Sequence, residues 1–571
     1  MMQCIHGKAS RRPLALSFAL LLALVAGAAA GQAGLDHHEF DATLVAPYQG
    51  ERAGAARTFT LAFDPAQAAT AYALRWRLDL VDTNERLVRQ WRGRGALRRN
   101  LLNVTVRWDG RLRGDIAPAG IYRVRLHASA RAATSAASPF QSVLQEWEIA
   151  VGRLAAPTLP TFRALPHARF EASMAPAVGA LPYTVYLGNL HSQTAHSDGG
   201  GDLAHCTGAQ EPQSAALGPA DAFQYALQRG LDFLVASEHN HMYDGSDGTN
   251  AAADPAVAKA LFQSGLATAS SFNAAHPNFL GVYGLEWGVI NRGGHLNIFN
   301  TDELLGWERN ASGQLVADTL TPKGDYGALY ALMRQRGWVG QFNHPTTSGQ
   351  FLLGAVPFGY SADGDQAMAL CEVLNTSAFS VNTSETEKRR STFEGACNKA
   401  LEAGYHVAFS TNQDNHCANW GASYTNRTGV LIANGTALTQ ASLIDAIKAR
   451  RVFATMDKGA QLVLTANGHI MGERFTNSGP LTLLANFASS TGKTVSTVRI
   501  FEGVPRRNGS VSELSKKATT TITPALGEHF YYARLTQDDG NILWSAPVWV
   551  TQVALTGPIP VDGAEPAALS D

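Results

Sequence analysis

The sequence predicts an α/β central domain, a distorted βα-barrel, between two all-β sandwiches. Three observations lead there. Short runs of alternating apolar and polar residues fill 36–151 and return after 458. Between them, over 183–457, apolar strand-like runs alternate with helical stretches. A chain of 571 residues is also too long for one core.

Residues 1–33 read as an export signal. Arg11 and Arg12 supply the positive region, Leu14 to Val25 the apolar stretch, and Ala28-Ala29-Ala30 a small-residue cleavage site. Ser10-Arg11-Arg12 also resembles a twin-arginine motif. An uncleaved anchor is the alternative, although the stretch is short for a span. No later segment is long and apolar enough to cross a bilayer, so the expectation is a periplasmic or secreted protein with no transmembrane segment after signal removal.

Over 36–151 the runs TFTLAF, YALRWRLDLV, LNVTVRW, YRVRLHA and EWEIAV predict a small antiparallel sandwich. Trp108-Asp109-Gly110, then Ala117-Pro118-Ala119-Gly120-Ile121-Tyr122, resembles a turn-and-strand signature of bacterial immunoglobulin-like modules. Arg75, Arg77, Arg86, Arg89, Arg92, Arg94, Arg98 and Arg99 read as solvated strand faces and turns, with a phosphate-binding patch as the rival. Residues 152–182, with Pro157, Pro160, Pro166, Pro176 and Pro182 among alanines, read as an extended linker.

From Tyr183 strand-like runs at 184–191, 232–239, 280–287, 295–300, 337–344, 369–375, 406–413 and 428–433 alternate with helical stretches at 219–229, 254–275, 325–336, 385–404 and 439–450. In a βα-barrel the strand carboxyl ends converge on one face. His191, His239, Glu286 and His344 close their runs, and Asp414 follows one. His295 begins its run, a hint that this strand departs from regular barrel order. Over 458–556 the runs AQLVLTA, LTLLANF, TVRIFEG, FYYARLT and APVWVTQ predict a second immunoglobulin-like sandwich, and 557–571 a disordered tail.

The formal net charge of -1 gives no global pull toward nucleic acid or an anionic membrane. No basic–aromatic stripe suits single-stranded nucleic acid, so no nucleic-acid partner is expected. Cys4 falls in the signal, leaving Cys206, Cys371, Cys397 and Cys417, an even number that favours disulfides in an oxidising compartment. Three pairings are possible. Cys206 with Cys417 is favoured because each lies close to a ligand motif; thiolate ligation is the alternative.

The chemistry concentrates in His191, Asp198, His239, Glu286, His295, His344, Asp414 and His416. Imidazoles and carboxylates with little thiolate suit Zn²⁺, Mn²⁺ or Fe²⁺. So many donors exceed what one ion takes, which implies a site of two or three divalent ions built for hydrolysis. Phosphate loops and the GxSxG signature are absent.

The motifs NLHSQTAHSDG, SEHN, GLEW, GGHLNIF, NHP and QDNH occur in that order. Over 183–457 the chain resembles the PHP superfamily of metal-dependent phosphoesterases, and more closely its exported CehA/McbA-like branch, named after carbaryl and carbamate hydrolases. The family's opening motif is His-x-His followed by Ser-Asp-Gly; His191 and Asp198 match it, while Gln193 stands at the second histidine. An amide oxygen is a weaker ligand than imidazole. The resemblance implies a PHP-like barrel and a first ion on His191, Glu286 and Asp414, with Gln193 the doubtful fourth. Glu286 would bridge to a second ion on His295 and His344, and a third would use Asp198, His239 and His416.

Asp414 is the candidate proton acceptor, Arg292 a candidate anion clamp and His241 a candidate leaving-group acid. The expected activity is hydrolysis of a small-molecule phosphoester, with carbamate or carboxylic-ester hydrolysis as the alternative. A catalytically degenerate binding or surface-scaffold protein is the reading of another class. The sequence leaves the oligomeric state open.

Overall fold

The computed structural model describes residues 40–50, 55–65, 71–98, 101–133, 140–167, 181–289, 293–346 and 350–555. The expected export signal, the expected tail and Arg292 lie outside the described residues. Among the described residues no helix is long and apolar enough to cross a membrane.

At the N-terminal end, Asp41–Val45, Arg57–Asp64 and Leu102–Trp108 form a three-stranded antiparallel sheet. Leu87–Leu97, Tyr72–Val81, Gly120–Ala132 and Gln141–Val151 form a four-stranded one. Period-2 alternation turns Tyr122, Val124, Leu126, Ala128 and Ala130 inward, where the two sheets share an apolar core with Phe59, Leu61 and Leu78. The Trp108–Tyr122 motif makes its own turn: the Trp108 indole donates to the Arg111 carbonyl at 3.0 Å and the Tyr122 hydroxyl to the Pro118 carbonyl at 3.0 Å.

In the centre the structure overturns the expected fold class. Of the described residues 42% are strand and 15% helix, too little helix to wrap a barrel of parallel strands. Its centre is a mixed sheet of 16 strands that runs without a break into the C-terminal region. Tyr183–Asn189, Phe233–His239 and Leu280–Trp287 lie side by side in parallel. Leu296–Ile298 then runs antiparallel to both Leu280–Trp287 and Gly340–Phe342. Too few residues separate Trp287 from Leu296 for a helical crossover, so the chain can only turn back.

On the other side Arg427–Ala433 pairs antiparallel with Tyr183–Asn189, and Val452–Thr455 pairs antiparallel with both Arg427–Ala433 and Ile542–Ser545. The second expected sandwich is therefore not separate. Ile542–Ser545, Gly527–Gln537 and Val495–Gly503 extend the central sheet, while Ala460–Ala466, Leu481–Ser489 and Thr519–Ile522 belong to a four-stranded sheet. The helix expected over 385–404 is also shorter, Glu394–Ala403. The residues before it include Arg390–Thr392, an edge strand on Leu374–Thr376.

Ala408–Asn412 pairs in parallel with Met368–Thr376. Its other side meets the end of Tyr183–Asn189 through individual bonds. Leu190 N donates to Asn412 Oδ1 at 2.8 Å, Gln413 N to Asn189 Oδ1 at 2.9 Å and Asp414 N to the His191 carbonyl at 3.0 Å. The N-terminal sheets are anchored on the rest of the chain. Thr392 N donates to Gln145 Oε1 at 2.9 Å, Arg534 reaches Glu148 at 2.8 Å, and the Tyr48 hydroxyl donates to Ser496 Oγ at 2.7 Å.

Candidate metal centre

Strand ends build this centre. His239 closes Phe233–His239 and sits in register beside Glu286 of Leu280–Trp287. His191 follows Tyr183–Asn189, His344 follows Gly340–Phe342, and Asp414 and His416 follow Ala408–Asn412. His295 precedes Leu296–Ile298. Because that strand is antiparallel to its neighbours, its start lies at the edge where theirs end. The departure from regular order expected at His295 is thus what delivers it to the cluster.

Glu286, 1% exposed, lies at the middle. Its Oε2 is 2.9 Å from His191 Nε2 and 3.5 Å from His239 Nδ1. Its Oε1 is 3.0 Å from His295 Nδ1 and 3.4 Å from His344 Nε2. Asp414 Oδ1 is 3.0 Å from His191 Nε2. Asp198 Oδ1 lies 3.8 Å from His239 Nε2 and 3.5 Å from His416 Nε2.

Three groups place their donor atoms within 4.8 Å of one another: His191, Glu286 and His344; His239, Glu286 and His295; and Asp198, His239 and His416. The last is the trio expected for a third ion. The first two differ from the expected sets, since His344 falls with His191 and His239 joins His295. No cysteine enters the groups, and the donor chemistry of buried imidazole and carboxylate fits Zn²⁺, Mn²⁺ or Fe²⁺.

Burial sharpens the electrostatics. Desolvation alone would lower the His191 pKa, but Asp414, Glu286 and Glu372 hold it well above the ordinary imidazole value. His344, opposed by burial but held by Glu286 and Asp414, is raised to about 9. His416 is likewise raised to about 9 against burial, by Asp198 and Asp414. For Glu286, burial would raise the pKa, yet His191, His295 and His239 carry it well below the usual carboxylate range. The cluster is a set of carboxylates asking for positive charge, which a divalent cation can supply in place of imidazole protons.

Backbone conformation is tuned as well. His344 has φ 26° and Asp414 φ 50°, the left-handed region that non-glycine residues seldom occupy. The Gly199–Gly201 turn is equally tight: a Cβ on Gly199 would lie 2.3 Å from the Gln193 carbonyl carbon. Disulfides join Cys206 to Cys417 and Cys371 to Cys397; the first is the favoured pairing and ties the loop after Asp198 to the segment after His416.

Gln193 is in the cluster, fully buried, but its Nε2 donates to Glu286 Oε2 at 2.6 Å while its Oε1 accepts from Ser197 at 3.3 Å. Its amide nitrogen thus acts on the carboxylate. His241 pairs with Asp247 at 3.3 Å and stacks on Trp307, and it is not among the residues lining the cavity.

Glu372 and Asn343 join the site without a motif of their own in the sequence. Glu372 Oε1 lies 3.3 Å from His191 Nδ1, its Oε2 accepts from His344 N at 2.8 Å, and Asn412 donates to it at 3.0 Å. Asn343 Nδ2 donates to Glu286 Oε1 at 2.8 Å. The available signal was a charge inside the uniformly buried run MALCEVLNT.

Over the cluster lies a cavity of about 1140 Å³, lined by His239, His295, His344, Asp414 and His416 on one side and by Asp41 and Gln145 of the N-terminal sheets, with the adjoining Phe140, on another.

No protein-family model matches the chain, and no curated protein matches it. Among solved structures it is similar to an ApaA protein of Bordetella pertussis, at 14% identity and TM-score 0.16 over 21% of this chain and 98% of that one. A Parabacteroides merdae β-glucuronidase matches at 10% identity and TM-score 0.15, over 91% of this chain and 65% of that one. A Bacteroides uniformis β-glucuronidase 2 matches at 11% and 0.15, over 90% and 61%. This chain thus spans less than two thirds of the glucuronidases' length. At such scores the likeness assigns neither fold nor activity.

Proposed function

We propose that this chain is an exported hydrolase that holds two or three divalent ions and cleaves a phosphoester. The observation that supports it best is Glu286, whose two carboxylate oxygens lie within 3.5 Å of four imidazoles and which belongs to two separate donor groups, as a carboxylate shared between two ions would. His191, His344, His239 and His295 would complete those two groups, and Asp198, His239 and His416 a third, with His239 serving one at a time. When bound, the ions would polarise the ester and lower the pKa of water toward neutrality.

The chain's own residues do the rest. Asp414 lines the cavity beside His191 and would take up a proton there. Glu372 fixes the His191 ring through Nδ1, leaving Nε2 toward Glu286 and Asp414. Gln193 and Asn343 each donate to one Glu286 oxygen and so hold its plane.

Phosphoester hydrolysis leads because the ordered motifs resemble those of PHP phosphoesterases. Carbamate or carboxylic-ester hydrolysis is the second reading, favoured by aromatic wall residues: the Phe379 ring lies 5.0 Å from the His416 ring, tilted at 59°, and Phe140 lines the same cavity.

Elemental analysis, followed by assays of an aryl phosphate, an aryl acetate and an aryl carbamate with added Mn²⁺ or Zn²⁺, tests the proposal. At least one ion per chain and preferential phosphate release are expected. Less than one ion, with none of the esters cleaved, would favour the binding-protein reading. Asp414→Asn should abolish turnover with the circular dichroism spectrum unchanged; wild-type rates would remove Asp414 from the chemistry.

A further inference from the structure

The outward face of the four-stranded N-terminal sheet sets arginine against arginine. Arg75 lies directly opposite Arg94, and Arg77 opposite Arg92, across an antiparallel pair. Directly opposed side chains stand about 5 Å apart and the next pair along the strand about 7 Å away. Like charges in that position destabilise a sheet. At one end acids answer them: Asp79 pairs with Arg77 at 2.9 Å, and Glu85 and Glu146 pair with Arg123 and Arg125. At the other end Arg75, Arg92 and Arg94 are exposed and have no ion-pair partner among the described residues.

The arrangement is held in place. Arg75 and Arg131 lie over the Phe140 ring at 5.4 and 4.8 Å, and Phe140 is itself 41% exposed. Since the chain carries a net charge of -1, this positive field is local to one surface and no by-product of a basic protein.

We propose that this face docks an extended acidic polysaccharide. Charge complementarity selects a polyanion, and the shape of the face selects among polyanions. A sheet twists from strand to strand, so a planar bilayer meets only part of it, whereas a flexible chain follows the rows of guanidinium groups. Among its described residues the face offers the single exposed ring of Phe140, already covered by two guanidinium groups, and not the run of aromatic platforms on which single-stranded nucleic acid stacks. The docking does not depend on metal or on the hydrolase reading.

Fluorescence anisotropy of a labelled heparin oligosaccharide with the full mature chain tests it, at low and raised salt and with and without metal. Binding is expected to be salt-sensitive and the same in both metal states. Arg75→Glu with Arg94→Glu should weaken it about tenfold or more, through lost counterion release. Arg75→Gln with Arg94→Gln, which removes an opposed like-charge pair and so spares the fold, should give an intermediate loss. A control of equal charge change on other exposed surfaces, Arg107→Glu with Arg309→Glu, should bind like the parent. Unchanged affinity in the Arg75/Arg94 variants, or an equal loss in the control, would overturn the proposal. So would binding to phosphatidylglycerol vesicles without binding to heparin.

Discussion

Around Glu286 four imidazoles approach two oxygens, all within 3.5 Å, whereas Asp198 serves only one group of donors. The two carboxylates should therefore fail differently. Glu286→Gln should empty more than one ion position per chain, and Asp198→Asn only one, as read by elemental analysis after dialysis; equal losses would mean that Glu286 is not shared. Glu372→Gln should keep the fold but weaken metal binding roughly 10–100-fold, because the His191 ring loses its orienting acceptor. Metal titration measures this, and an unchanged affinity would reduce Glu372 to a packing role. At this scale the sequence was readable where a polar residue ends an apolar run, as His239 and His344 do. It was opaque where the partner sits inside a run, as Glu372 does, because nothing local distinguishes a charge aimed at a site from one satisfied in the core. Gln193 shows the same limit: its position was legible, but which end of its amide faces Glu286 depends on Ser197 and the glycine turn.

At the level of loops and strands, the Cys206–Cys417 bridge spans 211 residues and lies beside backbone bonds from Gly201 N to the His416 carbonyl and from Ala418 N to the Gly201 carbonyl. Replacing both cysteines by serine should cost about 2–4 kcal/mol of stability. It should also weaken the Asp198–His239–His416 group more than the groups around Glu286. Thermal melts and metal titration check this, and equal weakening of every group would remove the loop from control of that position. Elements were legible where an apolar run was compact, as in Phe233–His239, or a helical stretch long, as in Pro255–Ala275. They were less so near 385–404, where composition favours helix but Arg390–Thr392 instead gains ladder bonds on the sheet edge. Directions were hardest to read: apolar text is identical for a parallel and an antiparallel strand, and only the short return before Leu296 could have announced the reversal.

Across the whole molecule, the central and C-terminal parts meet at His406, which pairs with Asp365 at 2.9 Å and with Glu528 at 3.3 Å. Burial would lower its pKa, but those two carboxylates raise it above the ordinary 6.5. A raised imidazole contributes its stability fully below that ordinary value and loses it as pH climbs through the folded one. Asp365 and Glu528, both lowered, contribute above their ordinary values and lose the effect in acid. The melting temperature should therefore fall by a few degrees from mildly acidic to alkaline pH, and His406→Asn should reduce that slope, with the raised His191, His344 and His416 of the metal centre supplying the remainder. A slope as steep in the variant as in the parent would remove His406 as a source.

The continuous sheet also governs how this protein can be taken apart. Since Val452–Thr455 lies between Arg427–Ala433 and Ile542–Ser545, a chain cut short near residue 457 would be left with a raw seam of backbone donors and acceptors. Such a fragment should self-associate or precipitate, as light scattering would reveal, and a dispersed, metal-loaded monomer would contradict this. The half that carries the histidines is not a cassette to be clipped out and grafted elsewhere; it travels with its C-terminal strands.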